Sequence, residues 1–279
     1  MKKIAIKTTC RKMLSDVHTP VGIYLRVRDR FRDTVLLEST DYHASENSYS
    51  FIGINAIAGM EITDTSSVEF KLPGQKPEKQ SIANPAEVPG ILWSFMQRFE
   101  IAPSAEKIAP LVQGLYGYTS FDAVQFFDSI KFNAQKTFSA VQPGDKGIPL
   151  MRYRLYQYVI AINHFRSEMY ICENEIEGLQ SDIAVIESLI RSKDVPVFPF
   201  KAKGAETSNM TDDDYMAMVK KGIQSCYRGD VFQIVLSRRF EQKFTGDEFN
   251  VYRALRNINP SPYLFYFDYG DYKLLGSSP

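Results

Sequence analysis

The segment Gly229 to Phe240, GDVFQIVLSRRF, constrains this chain most, because strict alternation forces a two-sided strand. Side chains two apart share a face, so Phe232, Ile234, Leu236 and Phe240 lie together, with Gln233, Ser237 and Arg239 opposite. The first face needs a core and the second needs water, a ligand or a partner. On pattern alone a half-solvated strand accounts for the polar side as well as a ligand does.

Other segments repeat this β-rich habit. Ile4 to Ile6 opens a first strand, and Val21, Ile23, Leu25 and Val27 alternate as another. Val35 to Leu37 follow, closed by Glu38-Ser39-Thr40. Ser50 to Leu72 carries two runs parted by a turn at Thr63 to Ser67, and Leu111 to Tyr118 is a strand whose Gly114 and Gly117 suit close backbone packing. Tyr153 to Ile162 and Glu168 to Cys172 form a hairpin around His164-Phe165-Arg166-Ser167, and Tyr263 to Tyr269 pairs with Tyr272 to Leu275 around Gly270-Asp271.

Helices interrupt the strands. Asn84-Pro85 caps one with Val88, Ile91, Leu92, Phe95, Met96 and Phe99 on its stripe and Trp93 as core filler. Asp122 caps a short one carrying Val124, Phe127 and Ile130, and Leu179, Ile183, Ile186 and Ile190 mark a third. Thr211 with Asp214 forms a capping box, Tyr215, Met218, Val219, Gly222, Ile223 and Cys226 form the buried stripe behind it, and Gly229 is its left-handed end. A last helix covers Asp247 to Asn257. The fold class is α+β, with mixed or antiparallel sheets forming a β-rich core and helices outside. Domains are expected at 1–192 and 210–279, joined by a linker at 193–209 that shows no sustained period.

Lysine plus arginine equals aspartate plus glutamate, 33 against 33, so no overall field recruits nucleic acid or an anionic membrane. A small-molecule ligand fits better. Cys10, Cys172 and Cys226 show neither disulfide-framework nor zinc spacing, which suits a reducing cytoplasm. No apolar run approaches the ~18 residues of a membrane span. His18, His43 and His164 are unrelated in spacing, and Asp212 to Asp214 serve a helix dipole better than a metal. The residues alone therefore give two α+β units with a polar strand face and no complete catalytic set.

Five segments carry a resemblance. GDVFQIVLSRRF with its capped helix resembles the chorismate-binding domain shared by anthranilate synthase component I and its relatives. LLES at Leu36 to Ser39 with YSFIG at Tyr49 to Gly53 is similar to the tryptophan-binding signature of that family. QGLYGYTSFDAVQFFD at Gln113 to Asp128 resembles a further family stretch, NPSPYLFYF at Asn259 to Phe267 resembles its NPSPY segment, and the closing GSSP resembles the start of GxSPE. Ser48-Tyr49-Ser50 departs from the family's RYSFIG, and Asn163-His164 from its DH.

The resemblance implies conversion of chorismate and ammonia to anthranilate and pyruvate, the first committed step of tryptophan synthesis, with a glutamine amidotransferase subunit supplying ammonia. It implies magnesium as cofactor and L-tryptophan as feedback inhibitor, held by Glu38 and Ser39 on one side and Pro262, Tyr263 and Leu264 on the other. Water-using relatives carry lysine where this chain has Gln233, so a neutral amide there implies ammonia as nucleophile and makes Gln233 the candidate catalytic residue. Later family motifs, including the metal-binding glutamates, are expected beyond Pro279, leaving the second domain incomplete and this chain inactive by itself. Aminodeoxychorismate synthase component I is the alternative. A non-catalytic tryptophan-binding or interaction module is another if the chain ends naturally at Pro279.

Overall fold

The computed structural model describes residues 3–39, 48–130, 132 and 147–278. Thr40, His43 and Pro279 lie outside them. In chain order the strands are β1 (Ile4–Leu14), β2 (Thr34–Ser39), β3 (Tyr49–Asp64), β4 (Ser67–Lys71), β5 (Glu78–Ser81), β6 (Phe99–Ile101), β7 (Tyr116–Thr119), β8 (Met151–Asn163), β9 (Glu168–Glu175), β10 (Phe200–Ser208), β11 (Phe240–Gly246), β12 (Tyr263–Asp268) and β13 (Lys273–Ser278). The helices are α1 (Pro20–Val27), α2 (Val88–Met96), α3 (Ala109–Val112), α4 (Ile183–Arg191), α5 (Asp212–Arg228) and α6 (Phe249–Ile258). Among the described residues no helix is long and apolar enough to cross a membrane.

Two compact units result, one of Met1–Pro196 with Leu255–Pro279, the other of Val197–Ala254. The first is built on a sheet ordered β13-β12-β2-β3-β8-β9-β1-β6, with β4 and β7 paired on β3 and β8 and β5 on β4. Its ladders are antiparallel except β1 with β6. Its centre is two long strands buried along most of their length: β3 and β8 pair over most of their length and shift register between Ala56 and Ala58. Asn55 takes a positive φ of 60° just before that shift, a conformation asparagine tolerates, and its amide donates to Gln157 Oε1 at 2.6 Å. Where β7 meets β8, a Cβ on Gly117 would collide with Arg152 O, so close backbone approach is the reason for that glycine. Nothing lies near Gly114, where the same reason was expected.

Several expectations are corrected. Residues 21–27 form helix α1, not a strand. Thr19 Oγ1 accepts the Gly22 N–H at 3.0 Å and Pro20 occupies the first turn, so the capped start wins over alternation, and Ile23 and Val27 share a face four residues apart. The segment expected as a linker contains β10, paired with β11. Residues 121–126 form a 3-10 helix preceded by Ser120 rather than capped by Asp122, and Phe127 and Ile130 are exposed while Ala123 and Phe126 are buried. Leu111 belongs to α3 and is half-exposed, so only Tyr116–Thr119 of that stretch is a strand. Trp93 is 61% exposed rather than core filler, because Val88 and Phe95 hold the buried side of α2.

Cys10 and Cys172 form a disulfide. They are 162 residues apart, but the β1–β9 register sets them directly opposite with Cα atoms 4.1 Å apart. Pairing across a sheet leaves no trace in cysteine spacing, which is why three unpaired thiols were expected.

The second unit confirms the capping box: Thr211 Oγ1 accepts the Asp214 N–H at 3.2 Å, Asp214 Oδ2 accepts the Thr211 N–H at 3.3 Å, and Gly229 closes α5 at φ 78°. Thr211→Ala should lower the second unit's stability by about 1 kcal/mol in a thermal melt, the usual worth of an N-cap. A melt identical to the unaltered chain would show that the box contributes nothing. The stripe of α5 is not buried as expected, since Gly222 is its buried member and Ile223 is half-exposed.

Candidate functional site

Alternation brings the N-terminal and C-terminal site candidates onto one ladder. Strand β12 lies against β2 with Tyr263 opposite Ser39, Leu264 opposite Glu38 and Phe265 opposite Leu37. On the other side of β2, Leu37 is opposite Phe51 of β3. Residues directly opposite share a face, and neighbours along a strand do not. Ser39 and Tyr263 therefore share a face with Leu37, Phe51 and Phe265, whereas Glu38 and Leu264 point the other way.

The first face is aromatic and only partly covered. Tyr49 and Phe51 stack at 5.9 Å, Phe265 lies over Gly276, and Tyr263 is 61% exposed beside the half-buried Ser39. A planar apolar group can stack there while the hydroxyls at its rim accept or donate hydrogen bonds. Deeper on this face sit Val35, Tyr156, Val159, Phe267 and Tyr269, which make it part of the core rather than a loose patch.

The opposite face is charged and closed. Glu38 is buried, and both its carboxylate oxygens accept from Arg256 Nε, at 3.2 and 3.0 Å. Leu264 beside it is buried. His164 Nε2 lies 2.7 Å from Ser50 Oγ, and burial lowers the His164 pKa below its ordinary value, with Arg256 adding to this and Glu38 opposing it. Pro262 is exposed at the end of the turn that enters β12.

Gln233 belongs to the second unit. The strand expected over 229–240 is absent: ladder pairing begins at Phe240, and residues 231–239 have no regular secondary structure and no partner strand among the described residues. An isolated strand leaves its backbone groups to water, so alternation alone cannot make one. Its even-numbered side is partly seated, since a Cβ on Gly222 of α5 would lie 3.2 Å from Leu236 and 3.6 Å from Ile234. Gln233 is exposed and borders a groove with Val219, Ile223, Cys226, Phe232 and Ile234. Among the described residues no three acidic, histidine or cysteine side chains converge to hold a metal ion, so these residues do not form a magnesium site.

Sequence reasoning missed Arg256. Its signal was a basic residue in the last turn of a helix ending just before Asn259-Pro260, which reads locally as dipole compensation.

A β-rich unit in which strand β2 pairs with strand β12 from the far end of the chain, followed in sequence by a capped helix and an irregular amide-bearing segment, defines a class. The chorismate binding enzyme family matches residues 61–279, and the chain belongs to it.

More particularly, the chain is similar to anthranilate synthase component 1 from Acetivibrio thermocellus, 27% identical over 285 residues that cover 96% of this chain and 55% of that one. The protein of the same name from Neisseria meningitidis is 28% identical over 277 residues, covering 96% and 54%, and that from Lactococcus lactis is 26% identical over 280, covering 96% and 56%. The solved structure of anthranilate synthase component I from Streptococcus pneumoniae TIGR4 superimposes with a TM-score of 0.53 at 21% identity, covering 96% of this chain and 57% of that one, a likeness of fold. The chain spans about half the length of the curated relatives it matches.

Proposed function

We propose that this chain is the tryptophan-sensing portion and the beginning of the chorismate site of an anthranilate synthase component I. The complete enzyme would convert chorismate and ammonia into anthranilate and pyruvate, with ammonia delivered from glutamine by an amidotransferase subunit, in the cytoplasm. The names of the relatives support that activity, and the neutral amide of Gln233 supports ammonia over water as nucleophile. A magnesium ion in the complete enzyme would draw its ligands from outside the described residues.

One observation carries the sensing role: Ser39 faces Tyr263 across the β2–β12 ladder at the rim of a half-open aromatic face. An indole suits the aromatic surface, and the polar groups of an amino acid suit the two hydroxyls. Because the two strands come from opposite ends of the chain, a ligand spanning them favours the arrangement in which they are paired. Differential affinity of that kind is what feedback inhibition requires.

Calorimetric titration of the chain with L-tryptophan should give saturable binding, and Ser39→Ala should weaken it about tenfold, the worth of one hydrogen bond to a charged group. No heat of binding to the unaltered chain, or unaltered affinity after Ser39→Ala, would overturn the reading.

A further inference from the structure

A second groove shares no residue with the Ser39 face. It is lined by α2, the Pro85–Glu87 turn before it and the β4–β5 pair, and its volume of about 420 Å³ falls among the roughly 300–1,000 Å³ of small-molecule sites. Glu87, Ile91, Ser94 and Arg98 recur at helical spacing along one wall, and Gly90 leaves that wall open, since a Cβ there would meet nothing within 4 Å. Phe70 of β4 and Phe95 of α2 are both buried and stack at 5.5 Å, which gives the groove an aromatic floor.

Arg98 is the charged group that the fold leaves without a bond. Its backbone is fixed, the N–H donating to Phe95 O at 3.1 Å and the carbonyl accepting from the Ile4 N–H at 2.8 Å. Its guanidinium carbon lies 5.0 Å from the centre of the Phe70 ring, and Nη1 is buried with no hydrogen-bond partner. Among the described residues no carboxylate pairs with the side chain and no carbonyl accepts from it, although it stands just past the end of α2, where a cation can satisfy the last carbonyls. A guanidinium over a ring uses its face and keeps its in-plane N–H groups, the geometry that grips two carboxylate oxygens. A cation sheltered from water and unpaired gains more from an arriving anion than an exposed one does.

We propose that this groove binds a small aromatic monocarboxylate, with Arg98 holding the carboxylate and the ring lying along the Phe70 and Phe95 floor towards Gly90. A flat apolar body suits two stacked rings with Ile91 beside them. The Glu87 carboxylate stands on the same wall and repels a second negative charge, which disfavours dicarboxylates and phosphates. The site is separate from the tryptophan reading and does not depend on it.

The test is calorimetric titration of the full chain with benzoate, set beside benzyl alcohol, which has the same ring and no charge. Benzoate should bind saturably and about tenfold or more tightly than benzyl alcohol, the worth of a hydrogen bond to a charged group. R98Q should lose about tenfold or more in benzoate affinity for the same reason. G90L should lose as much by filling the groove while keeping Arg98, and it should fold, since leucine favours a helix over glycine and its Cβ enters open space. Circular dichroism verifies that each variant is folded. Absence of saturable benzoate binding, equal affinity for benzyl alcohol, or unaltered affinity in either variant overturns the proposal and leaves the tryptophan reading untouched. Should R98Q not fold, G90L decides: lost affinity supports the site and unaltered affinity overturns it.

Discussion

Replacing Arg154 by alanine is expected to destabilise the first unit by about 3–5 kcal/mol, the usual cost of breaking a buried ion pair from one side. Arg154 is 8% exposed; its Nε donates to Asp33 Oδ2 at 2.8 Å, its Nη2 to Glu61 Oε2 at 3.1 Å and its Nη1 to Tyr153 O at 3.3 Å. Burial works against its charge, yet its pKa is raised, with Asp33 the foremost neighbour favouring the charged form. Arg152 completes the cluster. Its guanidinium lies 4.4 Å over Tyr269, its Nη1 donates to Asp271 Oδ1 at 3.3 Å, and its Nε is 3.1 Å from Glu61 Oε2 without the alignment of a hydrogen bond.

The cluster ties β8 to β3 through Glu61 and to the Asp33 turn that enters β2, so Arg154→Ala would leave Asp33 without its guanidinium and weaken that attachment. Arg11 offers the contrast. It meets Glu187 at 2.9 Å but is 56% exposed, and Arg11→Ala should cost about 1 kcal/mol or less because water already screens the pair. Urea midpoints compare the two. Equal shifts would show that the cluster is as weak as a surface pair.

Gln233→Lys in the complete enzyme should lower ammonia-dependent anthranilate formation about a hundredfold, the lower end of what disturbing one polar group at a reacting centre costs. An amide neither takes a proton from water nor holds a charge near an entering amine. A lysine amine, once deprotonated, does the first, and when protonated it repels ammonium. Steady-state rates with chorismate and ammonium salts at fixed pH measure the effect, and unchanged kinetics would remove Gln233 from the reaction. The groove beside Gln233 is bordered by apolar side chains, so a charge introduced there finds no carboxylate among the residues that border it.

Local signals were legible and long-range ones were not. The Thr211 cap, the left-handed Gly229 and the hairpins ending in β9 and β13 each depend on residues a few positions apart and formed as expected, whereas Asn84 caps the 3-10 turn Pro85–Glu87 that leads into α2 and not α2 itself. Alternation misled twice. At 21–27 the Thr19-Pro20 start converted it into helix α1, and at 231–239 it produced a segment without regular secondary structure or a ladder. Alternation states which side chains share a face only after a partner strand exists. Motif resemblance grouped Glu38, Ser39, Tyr263 and Leu264 as candidates, and strand pairing divides them between two faces, which residue order could not show.

The sequence by itself determined the family, the β-rich α+β class and the cap and left-handed end of α5. Tertiary structure alone decided that the last strands close onto β2, that Cys10 meets Cys172, and that Glu38 turns from Ser39 toward Arg256. Caps and turns act over one or two turns of chain, where spacing is geometry. Strand register and buried charge pairing join residues more than a hundred positions apart, and only the folded sheet brings them within reach.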